Sequence, residues 1–312
     1  IQKKTSHAIV NLTISSIGPC TLAAPWAFSK LGILLGIGAT LLMAVISIYA
    51  HSVLAATAKR YKCRSYTDCV KKSFGRKPKK FFLILLVCYE WGQALSYCVL
   101  LKTILNALLK SASGWFVYLA ITGGVMWPLC MLKNVEQLGF TSIFSLVIFF
   151  LIVVVLFVDA PWHKGIKEFN FCENGEGHVH HGPKYAPRSL IDVFVAIPVA
   201  MDGLDSAWIF LDMFNSMKNR SMTRAGILSV GSYLLILGFS ISVAMIGYLS
   251  YCDKATPNIL DGMHFDGWKG TLTFISKILL LVQISLAIPI FIHCIRDVLH
   301  FQFINKKFPN WH

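Results

Sequence analysis

Eight long apolar stretches constrain the fold of this chain more than any other feature. They cover residues 8–28, 31–58, 81–109, 115–132, 139–158, 190–214, 225–251 and 271–295. A helix needs about 20 mostly apolar residues to cross a bilayer, and these stretches approach or exceed that length. None shows the alternation of polar and apolar residues that marks a strand of an outer-membrane barrel. The pattern predicts an all-α polytopic membrane protein with about eight transmembrane helices.

The composition excludes a soluble enzyme. Of the 312 residues, 55% are hydrophobic and 14% are charged, whereas soluble domains carry about 25% charged residues. So few charges cannot cover a surface that faces water. No nucleophile elbow, phosphate-binding loop or acid/base pair of carboxylates is recognisable. We therefore expect neither an enzyme nor a cofactor.

The basic residues indicate a membrane topology rather than a nucleic-acid partner. Lys and Arg number 29 against 15 Asp and Glu, which gives a formal charge of +14. If the N-terminus is inside and the stretches alternate, 19 of these 29 fall in inner segments, 8 in outer segments and 2 within stretches. Ten of the inner ones lie between Lys59 and Lys80. By the positive-inside rule, we expect that segment to face the cytoplasm or its organellar equivalent, next to membrane lipids.

The predicted long outer loop, residues 159–189, holds Cys172, and the next outer loop begins with Cys252. A disulfide between the two is possible in an oxidising compartment. Two free thiols are the alternative, because sequence alone does not fix the pairing. The loop histidines lack the fixed spacing of zinc ligands, so we expect no metal site. They are His163, His178, His180 and His181.

The first stretch is interrupted near its middle by Gly18-Pro19. Proline removes a backbone donor and clashes with the carbonyl four residues earlier. Small and polar residues gather at the same point, namely Ser15, Ser16, Cys20 and Thr21. Two interpretations are open: a proline kink repaired by neighbouring helices, or a discontinuous helix whose freed backbone groups bind a substrate.

The sixth stretch carries acids about half-way along its length. Asp205 follows Asp202 by one turn on the same face, with Gly203 between them. Carboxylates at that depth usually face a cavity, a partner or an ion path. Two Gly/Pro-interrupted stretches five apart are typical of an inverted-repeat transporter. The alternative is that the two acids form a packing salt bridge or an internal hydrogen-bonded pair.

Two other polar residues lie within the apolar stretches. Glu90 in the third stretch is a buried acid or pairs with a Lys or His elsewhere in the chain. We interpret His51 in the second stretch as a satisfied histidine at a helix end rather than as a proton relay.

Several segments, in order along nearly the whole chain, resemble the amino acid/auxin permease family. Segment 11–28 (NLTISSIGPCTLAAPWAF) resembles its first span. Segments 127–134 (WPLCMLKN) and 138–145 (LGFTSIFS) are similar to its spans 4 and 5, the latter most closely to the sodium-coupled neutral amino acid branch. Segments 246–260 and 284–296 resemble its spans 7 and 8.

The resemblance implies a LeuT-like fold of two inverted five-helix repeats. The first repeat would be residues 1–158, followed by the outer loop 159–189 and a partial second repeat, 190–312. It also implies symport of an amino acid with sodium or protons. The substrate carboxylate would meet the amides of Cys20 and Thr21, and its amino group would face the break in the sixth stretch. The implied substrate-binding residues are Ser15, Ser16, Gly18, Cys20, Thr21, Asp202, Gly203, Asp205 and Ser206.

The chain departs from the family's pattern where sodium would bind. Ile14 stands where the sodium-coupled branch has an Asn, and Ala287 replaces a frequent hydroxyl, although Ser285 keeps another. At the first break, Gly18-Pro19-Cys20 replaces the family's Gly-small-Gly. We therefore expect proton coupling through Asp202 or Asp205, with Ser285 as a further candidate ion-coupling residue.

The implied fold needs ten helices, and the sequence ends at His312 after the eighth stretch. We expect that further helices follow, or that other membrane subunits supply them. The leading hypothesis is a secondary active transporter of amino acids. The alternative is a transport-inactive, transporter-like structural subunit of a larger membrane assembly. An ion channel is a weaker hypothesis, because no selectivity-filter-like sequence is present.

Overall fold

The computed structural model describes residues 5–63, 66–109, 114–131, 139–159, 184–204, 206–217, 220–252, 255–259 and 267–303. This part of the chain is built of helices. They are α1 (Thr5–Ser16), α2 (Ala24–Leu31), α3 (Ile33–Tyr61), α4 (Tyr66–Phe74), α5 (Arg76–Leu109), α6 (Gly114–Ile121), α7 (Trp127–Cys130), α8 (Gly139–Asp159), α9 (Leu190–Asp202), α10 (Ala207–Ser216), α11 (Met222–Tyr251) and α12 (Gly267–Phe303).

Helix lies over each of the predicted apolar stretches. Within the described residues, four helices are long and apolar enough to cross a membrane: Ile33–Tyr61, Arg76–Asn106 within α5, Met222–Tyr251 and Gly270–Pro289 within α12. Large apolar side chains point outward, such as Leu190 and Phe194, each 77% exposed. Such a surface suits lipid and not water. The all-helical membrane class is supported, and the number of eight spans stays a prediction.

The chain divides into two compact units. The first comprises Ile1–Cys69 and Leu146–Ser276, and the second comprises Val70–Ser145 and Lys277–His312. Each unit takes helices from both predicted repeats, so the units are not those repeats. The repeat boundaries at residues 158 and 190 stay predictions.

In the first unit, α11 packs against α1, α2 and α3, while α9 packs on α2 and α3. Apolar side chains of α1, α3, α10 and α11 form one core cluster, which includes Leu12, Ala55, Phe210 and Leu228. Two smaller clusters join α2 to α11 and α2 to α9. The helix α2 is therefore fixed on two sides by apolar contacts.

Two glycines allow close approaches around α2. A Cβ atom on Gly247 of α11 would lie 2.5 Å from Cγ of Pro25. Gly32 joins α2 to α3 with φ of 77°, a left-handed conformation that favours glycine, and its Cβ would lie 2.5 Å from the amide nitrogen of Ala186. The segment that contains Ala186 also supplies a hydrogen-bond acceptor at the start of α3. The first amides of a helix lack partners within it, and the carbonyl of Lys184 accepts from the Ile33 amide at 2.9 Å.

In the second unit, α5 packs on α6. Between α6 and α7 the helix widens into a π-type turn at Thr122–Met126. Tyr97 of α5 meets Phe291 of α12 edge-on, with ring centroids 4.9 Å apart. Arg296 of α12 donates from Nη1 to the Cys130 carbonyl at the end of α7, at 3.2 Å. Aromatic and charge-assisted contacts thus hold this unit together.

Candidate functional site

The first apolar stretch is broken, as the Gly18-Pro19 pair predicts. The helix α1 ends at Ser16, a 3₁₀ turn covers Pro19–Ala23, and α2 begins directly after it. Gly18 is extended, with φ of −104° and ψ of 180°. Proline disfavours the helical conformation of the residue before it, so the break follows from local chemistry. The helix is therefore discontinuous rather than simply kinked, while substrate binding by its freed groups stays a prediction.

At the first break, hydroxyls are left open, and one of the two expected amides is already used. The amide of Thr21 donates to the Gly18 carbonyl at 3.1 Å, so the prediction of a free amide there is wrong, because the 3₁₀ turn reuses it. The Ser16 hydroxyl donates to the Leu12 carbonyl at 2.9 Å. The Thr21 and Thr13 hydroxyls are buried and find no hydrogen-bond partner in the described part of the chain. The side chains of Ser15 and Cys20 lie outside that description.

The sixth stretch is broken near Gly203, which confirms the second predicted break. The helix α9 ends at Asp202, and α10 begins at Ala207. Gly203 has φ of −70° and ψ of 0°, a conformation open to any residue, and the Leu204 amide turns back to the Met201 carbonyl at 2.9 Å. Pro198 lies inside α9 without interrupting it.

The two breaks lie against each other. A Cβ atom on Gly203 would be 3.6 Å from the Thr21 hydroxyl oxygen and 3.8 Å from the Ser16 carbonyl oxygen. These would be van der Waals contacts of the added atom, so Gly203 lies about one side-chain atom away from the first break. The structure therefore brings Gly203 close to Ser16 and Thr21, two other predicted substrate-binding residues that lie more than 180 positions earlier in the sequence.

The predicted ion-coupling residues are placed differently. Asp202 is the last residue of α9 and is partly buried, and Asp205 lies outside the described residues. Ser285 of α12 belongs to the second unit, and its hydroxyl donates to the Leu281 carbonyl at 2.8 Å. Their roles in coupling stay predictions.

The remaining predicted pairings concern Cys252 and Glu90. Cys252 is disulfide-bonded, while Cys172 lies outside the described residues, so their pairing stays a prediction.

In the second unit, Glu90 and Lys277 are each 1% exposed. Both carry interactions, which agrees with the expectation that Glu90 is a buried acid.

The second break has a backbone acceptor that two neighbouring helices satisfy. The Leu204 carbonyl accepts from the Tyr233 hydroxyl of α11 at 2.6 Å and from the Ser47 hydroxyl of α3 at 3.4 Å. A buried carbonyl without a partner costs about 1–3 kcal/mol. The hydroxyls of α3 and α11 therefore stabilise the break.

His51 lies at the centre of a buried polar network beside this break. Its Nδ1 is 3.1 Å from the Ser229 hydroxyl, and its Nε2 is 3.4 Å from the Ser206 hydroxyl. The imidazole stacks on Phe210, with centroids 4.1 Å apart and planes 8° from parallel. His51 lies ten residues before Tyr61, the end of α3, so its interpretation as a helix-end histidine is wrong. Sequence reasoning missed this site because the hydrogen-bond partners are 178 and 155 residues away.

Comparison with known proteins decides the family. The sequence model of a family described as transmembrane amino acid transporter protein matches residues 2–311. The chain belongs to the transmembrane amino acid transporter family. The resemblance inferred from the sequence is thereby confirmed.

Transporters from a plant, a fish and a yeast are similar to the chain. It is 23% identical to amino acid transporter AVT6E of Arabidopsis thaliana, over 94% of the chain and 62% of that protein. It is 24% identical to sodium-coupled neutral amino acid symporter 2 of Danio rerio, over 96% of the chain and 64% of that protein. It is 25% identical to vacuolar amino acid transporter 7 of Saccharomyces cerevisiae, over 94% of the chain and 59% of that protein.

The chain spans roughly three fifths of the length of these relatives, since the matched shares are 62%, 64% and 59%. Family membership and the apolar helices together make it a multi-pass integral membrane protein.

Proposed function

We propose that this chain forms the substrate-binding part of a secondary active transporter of amino acids, which works by alternating access and is coupled to protons or another cation. The observation that carries this proposal is the close approach of two broken helices, where a side chain at Gly203 would reach the Thr21 hydroxyl and the Ser16 carbonyl. Discontinuous helices that meet at mid-membrane are the usual substrate sites of secondary transporters. The names of the relatives support amino acids as the substrate class.

The groups at the first break suit a zwitterion. The Thr21 hydroxyl can donate a hydrogen bond to a carboxylate. Carbonyls in the last turn of α1, such as that of Ser16, lack donors within the helix and can accept from an ammonium group. The positive end of the α2 dipole also favours the carboxylate near Thr21.

The two breaks must separate before an amino acid can enter. Because a Cβ atom on Gly203 would already contact Thr21, no substrate fits between them in this conformation. Opening on one side of the membrane or the other would expose the Thr21 hydroxyl and the α1 carbonyls in turn. For the coupling ion, we propose Asp202 and Asp205, with Ser285 as a further contributor.

The proposal is tested by uptake of radiolabelled L-amino acids into liposomes that contain the wild-type chain or Thr21→Val. A hydrogen bond to a charged group contributes about 1.5–3 kcal/mol, so we expect KM to rise roughly 10- to 100-fold in Thr21→Val. The matched control is Thr13→Val, which removes another buried hydroxyl without a partner but on the α1 side of the break. Its KM should stay unchanged.

Both variants should unfold at or slightly above the wild-type temperature, because each loses an unsatisfied buried hydroxyl. Equal KM values for Thr21→Val and wild type would exclude the proposed site while leaving the transport function in place. If the wild-type chain moves no amino acid, the structural-subunit alternative is favoured.

A further inference from the structure

A cavity of about 340 Å³ lies where the end of α3 meets the end of α10 and the segment that leads into α11. This volume is within the range of about 300–1,000 Å³ that is typical of ligand pockets. The described residues that line the cavity are Ala58, Lys59, Lys62, Cys63, Phe214, Asn215 and Arg220. Three of them are cationic and none is acidic, so we call this space the basic cavity.

Tertiary packing within the first unit forms the walls of the basic cavity. Ala58, Cys63 and Phe214 belong to the apolar core cluster shared by α3 and α10. Across the same junction, Nδ2 of Asn215 donates to the Cys63 carbonyl at 3.4 Å. The cationic residues Lys59, Lys62 and Arg220 are exposed. The cavity thus combines an apolar wall with three positive charges that a ligand can reach.

Arg220 lies at a helix end that normally attracts an anion. It directly precedes Ser221, the N-cap of α11, whose hydroxyl accepts from the Arg224 amide at 3.2 Å. The first turn of α11 contains no acidic residue. The N-terminal end of a helix dipole is positive and disfavours cations, and Arg220 forms no ion pair with another described residue. An anion in the cavity would offset this repulsion.

The ends of the two helices differ in this respect. Lys59 lies in the last turn of α3, where the negative end of the helix dipole stabilises a cation. Its position is therefore explained without a ligand, and that of Arg220 is not.

Lys62 occupies a backbone position that favours glycine. It caps the end of α3 in the left-handed conformation, with φ and ψ of 49°, and its amide donates to the Ala58 carbonyl. Glycine is the usual residue at such a cap. The closure of the helix thus gives no reason for a lysine here, whereas an anionic ligand in the cavity does.

The length of α3 places the basic cavity at the depth of lipid headgroups. Its 29 residues rise about 1.5 Å each, or roughly 44 Å in all. A bilayer has a hydrocarbon core of about 30 Å and is about 40–45 Å thick with its headgroups. The last residue of α3, Tyr61, is 44% exposed, and tyrosine is enriched at the membrane–water interface. Lipid phosphates lie at this level.

We propose that the basic cavity binds the phosphate group of an anionic membrane lipid. Lys59, Lys62 and Arg220 neutralise its charge, and the guanidinium of Arg220 can bond two phosphate oxygens at once. The bound headgroup links the end of α3 to the segment before α11. Basic pockets between membrane helices are suited to phosphorylated headgroups. This inference goes beyond the proposed transport function and does not depend on it.

The test measures thermal unfolding of the full chain in a non-ionic detergent with added short-chain lipid. Phosphatidic acid is the probe, because a phosphomonoester carries a charge of about −1.5 to −2 at neutral pH. Phosphatidylcholine with the same acyl chains is the control lipid. At about 100 times its dissociation constant, phosphatidic acid should raise the unfolding midpoint by roughly 3–6 °C. Phosphatidylcholine should leave the midpoint unchanged.

Three variants assign the effect to the basic cavity. In Arg220→Gln, the apparent affinity for phosphatidic acid should fall at least about 10-fold, since a hydrogen bond to a charged group is lost. Lys71→Gln is the matched control, because it removes one exposed cation of α4 that does not line the cavity. Its affinity should equal that of the wild type. Lys62→Gly should unfold at a higher temperature than the wild type without lipid, yet gain less from phosphatidic acid.

Equal midpoint shifts with the two lipids would overturn the proposal. So would equal losses of affinity in Lys71→Gln and Arg220→Gln, which would indicate attraction to the basic surface as a whole. Inorganic phosphate at the same concentration should not shift the midpoint. A shift as large as that with phosphatidic acid would identify a soluble phosphate as the ligand and exclude the lipid.

Discussion

The two helices are interrupted for different physical reasons. In the first, Gly18 is extended before Pro19, and a 3₁₀ turn at Pro19–Ala23 reconnects the helices. In the second, Gly203 has an ordinary conformation, and hydroxyls from two other helices hold the freed Leu204 carbonyl. One break is therefore encoded within a few residues, and the other is imposed by its neighbours.

This difference separates ligand binding from conformational response. The backbone bonds described at the local break, from Ile17 to Thr13 and from Thr21 to Gly18, stay within the stretch itself. The Thr21 hydroxyl there is buried and unsatisfied by the described residues. At the imposed break, the Leu204 carbonyl is hydrogen-bonded to α3 and α11. Any shift of these helices therefore changes the break. The first break is therefore suited to bind a ligand, and the second is suited to change its conformation when the neighbouring helices move.

The largest effect on stability is expected where the first stretch packs on α11. In Gly247→Ala, the new methyl group would lie 2.5 Å from the rigid Pro25 ring. Overpacking of a tight contact costs about 1–3 kcal/mol, and we expect the upper end. The control is Gly238→Ala on the same helix, where nothing lies within 4 Å. It should gain about 0.5–1 kcal/mol from helix preference.

Thermal unfolding in detergent measures both glycine variants. Equal unfolding midpoints for Gly247→Ala and Gly238→Ala would mean that the approach of Gly247 to Pro25 does not hold α2. The first stretch would then not be fixed by packing, in contrast to the hydrogen bonding at the sixth.

The second-largest effect on stability is expected at the second break. Tyr233→Phe leaves the Leu204 carbonyl without its shortest hydrogen bond, and an unsatisfied buried group costs about 1–3 kcal/mol. Tyr248→Phe is the matched control, because Tyr248 is also fully buried on α11 but accepts from the Lys184 amide at 2.7 Å. Both variants should lose stability. Faster amide hydrogen exchange around residues 201–207 should occur in Tyr233→Phe alone.

The smallest effect on stability is expected for Gly203→Ala. Its methyl group would meet Thr21 at 3.6 Å, an ordinary contact, and the backbone conformation suits alanine. We expect a change within about 0.5 kcal/mol and a break that persists, since α3 and α11 impose it.

The double variant Gly18→Ala with Pro19→Ala sharpens the comparison. It removes the local cause of the first break, so the amides of residues 16–21 should become protected from hydrogen exchange as the helix closes. If exchange there is unchanged while Gly203→Ala closes the second break, the assignment of local and imposed causes is reversed.

Much of the site was predictable in location but not in chemistry. The breaks at Gly18 and Gly203 were expected from glycine and proline, and both are present. The expected ligands at the first break were the amides of Cys20 and Thr21. For Thr21 the structure leaves the hydroxyl instead, because a 3₁₀ turn gives its amide a partner at Gly18. Sequence rules locate an interruption but do not specify how the chain closes it.

The sequence by itself determined the membrane class, the helices, the family and the first break. These depend on apolar runs, on proline chemistry and on ordered motifs, all of which act within a few residues of the chain. The tertiary structure alone decided the hydrogen-bond partners of His51 and those of the Leu204 carbonyl. Ser47 lies 157 residues from Leu204, Tyr233 lies 29 residues from it, and the partners of His51 lie 178 and 155 residues away. A hydrogen bond between such residues forms only when packing brings donor and acceptor within about 3 Å.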